Sequence, residues 1–142
     1  MKKALTFLTL IIILSSCKKE KTFEVNTYPQ KWELVKMSGN IPNSETTGNQ
    51  MLWKETYVFN ADYTFTKTRI KEGTTTSASG TFDTEKMGDE KYFVLQYTSS
   101  SDLIGSCNST ALKEQLFIKS SQEIYSTWQA CDGPGLDYQR VQ

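Results

Sequence analysis

Met51-Leu52-Trp53-Lys54-Glu55-Thr56-Tyr57-Val58-Phe59-Asn60-Ala61-Asp62-Tyr63-Thr64-Phe65 is the stretch on which the fold turns. Met51, Trp53, Tyr57 and Phe59 recur at every second position, with Glu55 the only charged member of that face, while Lys54 and Thr56 point the other way. Leu52 and Val58 break the alternation, but a period of two over this length is still the signature of a half-buried strand rather than a helix. Asn60-Ala61-Asp62 is a turn signal, and Tyr63-Thr64-Phe65 resumes the pattern, so the two runs read as a hairpin.

The same rhythm extends in both directions. Short runs rich in Tyr, Phe, Thr, Val and Ile, separated by Gly, Asn, Asp and Ser, predict strands near 31–37, 51–60, 63–70, 75–84, 91–98, 112–120, 122–130 and 136–141. Phe93, Leu95 and Tyr97 alternate in the fifth run, and Ile124 and Trp128 in the seventh. Asp132-Gly133-Pro134-Gly135 makes the strongest turn and leads into the last strand. Eight consecutive strands with short connections predict an all-β, antiparallel up-and-down meander, closed or half-open. Closure would remove the unpaired edges that an open meander exposes.

Several pieces of this region resemble the lipocalin-like domains of small bacterial lipoproteins. They are Lys31-Trp32-Glu33-Leu34, the run from Phe59 to Phe65, Gly80-Thr81-Phe82 and the closing Tyr138-Gln139-Arg140-Val141. The resemblance implies an eight-stranded calycin-type barrel over about residues 28–142, with an end pocket for apolar molecules. It also implies that Trp32 on the first strand packs under Arg140 near the end of the barrel, a contact of about 0.5–2 kcal/mol. Two positions depart from the family pattern, where Gln30 and Tyr63 stand in place of glycines.

Ahead of the strands, Lys2 and Lys3 precede an apolar core from Ala4 to Leu14, followed by Ser15, Ser16 and Cys17. The core is too short for a permanent span, which needs about 20 residues, and fits the h-region of a signal peptide. Leu14-Ser15-Ser16-Cys17 resembles a lipobox, which implies removal of residues 1–16 and lipidation of Cys17. Diacylglycerol and an additional acyl chain would make the membrane anchor permanent. Residues 17–30, with Lys18, Lys19 and Lys21, then read as a flexible tether, and 31–142 as the barrel domain. Lysine at the second mature position resembles lipoproteins of the outer membrane, so the expected location is the bacterial cell envelope.

Removing residues 1–16 leaves 126 residues, enough for one domain, with 14 basic and 16 acidic side chains. That balance gives no electrostatic reason to expect nucleic acid. With Cys17 committed to lipid, Cys107 and Cys131 remain as a natural disulfide in an oxidising compartment, worth about 3–4 kcal/mol in the chain-entropy model. Their spacing is far from Cys-x-x-Cys, and no third thiol or histidine is at hand for a metal.

The chain holds no histidine at all, which removes Ser-His and Cys-His pairs and the commonest general base. Glu72, Asp83, Glu85, Asp89, Glu90 and Glu123 fall in turns or at exposed positions. The reading is therefore a non-enzymatic protein without cofactor or metal. Trp53, Tyr57, Phe59, Phe65, Lys67, Arg69 and Tyr97 are the candidate ligand-binding residues, an aromatic pocket with one polar end. If the turn holds three residues, Glu55 faces Lys67; a slip of two sets it opposite Arg69. The plainer expectation is that this hairpin end projects into solvent and its charges neutralise one another. Two function classes follow: carriage of a small apolar or amphipathic molecule, or an inhibitor-like accessory module whose filled barrel presents its loops to an envelope protein. The polar segment Ser38–Gln50 sits where a barrel lid would be.

Overall fold

A computed structural model of the chain describes Glu24, residues 26–108, Thr110 and residues 112–142. The expected leader (1–16) and Cys17 lie outside the described residues, as does most of the expected tether. Nine strands are described: β1 (Gln30–Ser38), β2 (Thr46–Thr47), β3 (Lys54–Phe59), β4 (Thr64–Lys71), β5 (Thr74–Met87), β6 (Glu90–Tyr97), β7 (Lys113–Ile118), β8 (Glu123–Ser126) and β9 (Gly135–Arg140). Each of β3 to β9 pairs antiparallel with its neighbour in sequence, and β1 pairs with both β3 and β9. The sheet is thus a closed eight-stranded up-and-down barrel, with β2 an extra strand beside it. All eight expected strands are present.

The differences have local causes. The expected strand 122–130 ends at Ser126, because the Ser126 hydroxyl accepts the Trp128 backbone N–H (3.2 Å) and caps a 3-10 turn over Thr127–Cys131. Trp128 therefore sits on a turn rather than alternating with Ile124 on a strand. Met51 to Trp53 precede β3, and the segment 38–50 is not wholly irregular. Thr46 and Thr47 pair with Met37 and Lys36, and a 3-10 turn follows at Gly48–Gln50.

Turn chemistry fixes the registers. In the β3–β4 turn, Asp62 Oδ1 accepts the Thr64 backbone N–H (3.1 Å) and hydroxyl (2.7 Å). Tyr63 there takes φ +62°, the left-handed conformation that residues other than glycine rarely adopt. The resulting register pairs Phe59 with Phe65 and Glu55 with Arg69, the slipped alternative. At the β4–β5 turn, Glu72 and Gly73 both have positive φ (51° and 80°), as the primed turns of tight hairpins require.

The barrel interior divides into two halves. One end is filled by rings: Trp32, Phe59, Phe65, Phe82 and Phe93 are all nearly inaccessible to solvent. Phe59 stacks on Phe93 at 4.6 Å and meets Phe82 edge-on at 4.8 Å. Tyr28, just ahead of β1, packs on Phe82 from outside this end (5.7 Å). Trp32 and Arg140 are paired across β1 and β9, with the guanidinium carbon 6.0 Å from the indole centroid. The Trp32 N–H donates to Gln30 Oε1 (3.1 Å), so Gln30 is a buried member of β1.

Candidate functional site: a charged layer under a loop

The other half of the interior is polar. Glu55 lies on β3, Lys67 on β4 and Glu114 on β7, and their side chains are fully buried. Lys67 Nζ donates to the Leu103 carbonyl (2.6 Å) and to both Glu114 oxygens (3.0 and 3.2 Å), and lies 3.2 Å from Glu55 Oε1. Arg69 Nε donates to Glu55 Oε2 (2.5 Å). Three phenols complete the set. Tyr57 donates to Glu114 Oε1 (2.8 Å), Tyr97 to Glu114 Oε2, and Tyr138 to Glu55 Oε1 (2.6 Å). Two carboxylates, one ammonium and one guanidinium balance in formal charge, and every oxygen of both carboxylates has a donor.

The reason these groups are inside is alternation. Glu55 shares a face with Tyr57 and Phe59, Lys67 with Phe65, and Glu114 with Leu116. A barrel strand has no choice about which face each residue presents, so the charges go in with their apolar neighbours. Burying them is tolerable only because each finds partners. Burial pushes the Tyr57 and Tyr138 phenols well above their ordinary range, and the adjacent carboxylates push them further. Tyr97 is raised for the same reasons. All three thus stay protonated donors at neutral pH.

A loop closes this end. Between β6 and β7, Leu103 turns inward to 3% exposure and supplies the carbonyl for Lys67. Gly105 passes so near Glu114 that a Cβ there would lie 2.8 Å from Oε1, which only glycine avoids. Cys107 is disulfide-bonded to Cys131, with Cα atoms 5.5 Å apart, and so pins the loop to the 3-10 turn after β8.

Of the seven candidate residues, Tyr57, Phe59, Phe65, Lys67 and Tyr97 are buried in the interior, with Phe59 and Phe65 in the aromatic half. Trp53 and Arg69 sit together beside the charged layer, the guanidinium carbon 4.4 Å from the indole centroid. The expectation that Glu55, Lys67 and Arg69 project into solvent is overturned: Lys67 is 0% exposed, and it reaches Glu55 diagonally across the β3–β4 pair. Arg69 Nη2 and Trp53 Nε1 are buried and have no hydrogen-bond partner. Sequence reasoning missed Glu114, although its parity with Leu116 and Ile118 marks it as inward-facing. It also missed the burial of Leu103, for which the irregular segment 99–112 carries no periodic signal.

Among the described residues, no three His, Cys, Asp or Glu side chains converge as metal ligands. No family model, curated protein or solved structure matches the chain.

Proposed function

We propose that this protein is a lipid-anchored lipoprotein of the bacterial envelope, in the outer membrane. Its lipocalin-like barrel acts by binding a small amphipathic molecule rather than by catalysis. The observation that carries the binding reading is the pair of buried, unpartnered donors at the Trp53–Arg69 corner. A buried donor without an acceptor costs about 1–3 kcal/mol, and nearly every other interior polar group here is satisfied. An acceptor group on a ligand's polar end would complete these donors, while the ligand's apolar part would take the place of the Leu103 loop. The chain has no histidine, and the oxygens of Glu55 and Glu114 are all taken up by donors, which speaks against either carboxylate acting as a general base.

The anchor rests on Leu14-Ser15-Ser16-Cys17 behind its apolar core. Native mass spectrometry of exported protein tests both parts. A mass increment on the Cys17 peptide matching diacylglycerol plus an acyl chain is expected, as is a co-purifying small molecule that is lost from Arg69→Met. An apo mass for both proteins would remove the carriage reading.

A second reading has its own observation. On the outside of β6, β7 and β8, Tyr92, Phe117 and Tyr125 form a continuous aromatic row, with ring centroids 5.4 and 4.6 Å apart and Tyr125 37% exposed. Aromatic side chains of this kind are enriched in protein interfaces, which suits the accessory-module alternative.

A further inference from the structure

Glu24 and residues 26–29 lie ahead of the barrel, and Arg140 holds them to it. Its Nη1 donates to the Glu24 carbonyl (2.6 Å) and its Nη2 to the Thr27 carbonyl (2.7 Å), while Nε donates to the Gln142 carbonyl (2.8 Å). Tyr28 adds its ring to Phe82. The chain between the anchor and the barrel is therefore fastened from Glu24 onward, at the aromatic end. From Cys17 to Glu24 there are only seven residue steps, which span at most about 25 Å when fully extended. Along β5, the opposite end of the barrel lies about 40 Å from Met87.

Strand directions show what else is at the fastened end. The β3–β4 turn, the β5–β6 turn, the end of β9 and the start of β1 all lie there. These bring out Tyr63 (61% exposed), Met87 (42%) and Val141 (38%), large apolar or amphipathic side chains facing solvent. The nearby charges, Glu85, Lys86, Asp89, Glu90 and Lys91, are mixed in sign. Attraction to anionic lipid is thus not needed; the short link and the side chains supply the contact.

We propose that the aromatic end of the barrel, through Tyr63, Met87 and Val141, rests on the bilayer that holds the Cys17 lipid. The Leu103-capped end then faces away from the membrane. The proposal rests on the lipoprotein reading, since it is the anchor at Cys17 that sets the distance. It adds a direction of traffic: a ligand for the Trp53–Arg69 corner arrives from the aqueous side or from a partner, not by lateral entry from the lipid. Tyrosine is at home at the headgroup level, and so suits the position Tyr63 would take.

The test uses exported, lipidated protein in vesicles of phosphatidylethanolamine and phosphatidylglycerol. A nitroxide is placed at Met87→Cys or, separately, at Leu52→Cys, which is 70% exposed beside the opposite end. Collision with a water-soluble nickel chelate should fall at least threefold at position 87 relative to the unanchored Cys17→Ser protein, and stay unchanged at position 52. A flexible 20-residue insertion after Lys21 should restore exposure at 87. Equal exposure at both positions, or protection at 52, would overturn the orientation while leaving the lipid on Cys17 intact. Protection at 87 in the unanchored protein would assign the surface to self-association and overturn it as well. An unmodified Cys17 peptide would remove the anchor itself, and the orientation with it.

Discussion

The two ends of this barrel solve the same filling problem with different physics. At the Trp32 end, rings pack on rings, and the cost of a substitution there is set by volume. At the Lys67 end, four formal charges and three phenols fill the same cross-section, and the cost is set by whether any one of them loses its partner. The first arrangement degrades gradually and the second abruptly. An apolar filling at both ends would be simpler and, by general experience with buried ion pairs, no less stable. Stability alone therefore does not account for the charged layer.

The sharpest break in that comparison is Lys67→Met. It leaves Glu55 and Glu114 buried with only phenols and Arg69 as partners, and should cost about 3–5 kcal/mol in urea unfolding. Adding Glu114→Gln to Lys67→Met should recover part of that loss, since the second buried charge goes with it. Were Lys67→Met to cost under 1 kcal/mol, the layer would be far wetter than its burial implies. Next comes the loop. Replacing Cys107 and Cys131 together by serine should cost about 3 kcal/mol. It should also speed exchange of the Leu103 amide, which donates to Ser101 Oγ (3.2 Å), well before the strands open, because the bridge and the Lys67 contact help hold that loop in place.

The barrel was legible because alternation and turn residues report directly on strand faces. Tyr57, Phe59 and Phe65 were assignable for that reason, and so was the hairpin at Asn60–Tyr63, whereas Trp53 falls just ahead of β3. Register was not legible: pairing Glu55 with Lys67 or with Arg69 keeps every side chain on the same face, so the pattern cannot choose between them. The choice is made by the Asp62–Thr64 turn and by Tyr63 accepting a left-handed φ. Charges at inward positions invited the wrong environment, because a single Glu or Lys on an apolar strand face looks like a strand end reaching solvent. Only the third member, Glu114 from a strand far away in sequence, makes their burial possible. Partners that meet only through long-range closure leave no local mark.

At the aromatic end the informative change is smaller. Arg140→Met keeps an apolar stem over Trp32 but removes the cation–π contact and the donors to Glu24, Thr27 and Gln142. The freed carbonyls can turn to water, so the global cost should be about 1–2 kcal/mol. Exchange protection of the Thr27 amide, which donates to the Glu24 carbonyl (3.4 Å), should vanish while β3–β6 stays protected. A loss as large as that of Lys67→Met would mean that this end is as partner-dependent as the other.

The smallest effect at neutral pH, about 1 kcal/mol for Tyr57→Phe, grows in alkali and so isolates the polar layer. Tyr57, Tyr97 and Tyr138 keep their protons in the fold above the pH at which unfolded tyrosine, near 10.0, gives its up. Below pH 10 their contribution is complete, because both states are protonated. Above it the unfolded state loses protons that the folded state retains, and stability falls by about 1.4 kcal/mol per pH unit for each such phenol. Lysine deprotonation in the same range is common to both proteins and cancels in their difference. Urea midpoints between pH 9 and 11.5 should therefore fall less steeply for Tyr57→Phe than for the parent, so that the variant's deficit at pH 8 narrows or reverses by pH 11. A parallel pair of curves would mean that Tyr57 ionises in the fold as it does in water, and that the Lys67 end is open to solvent, unlike the ring-filled end it is set against.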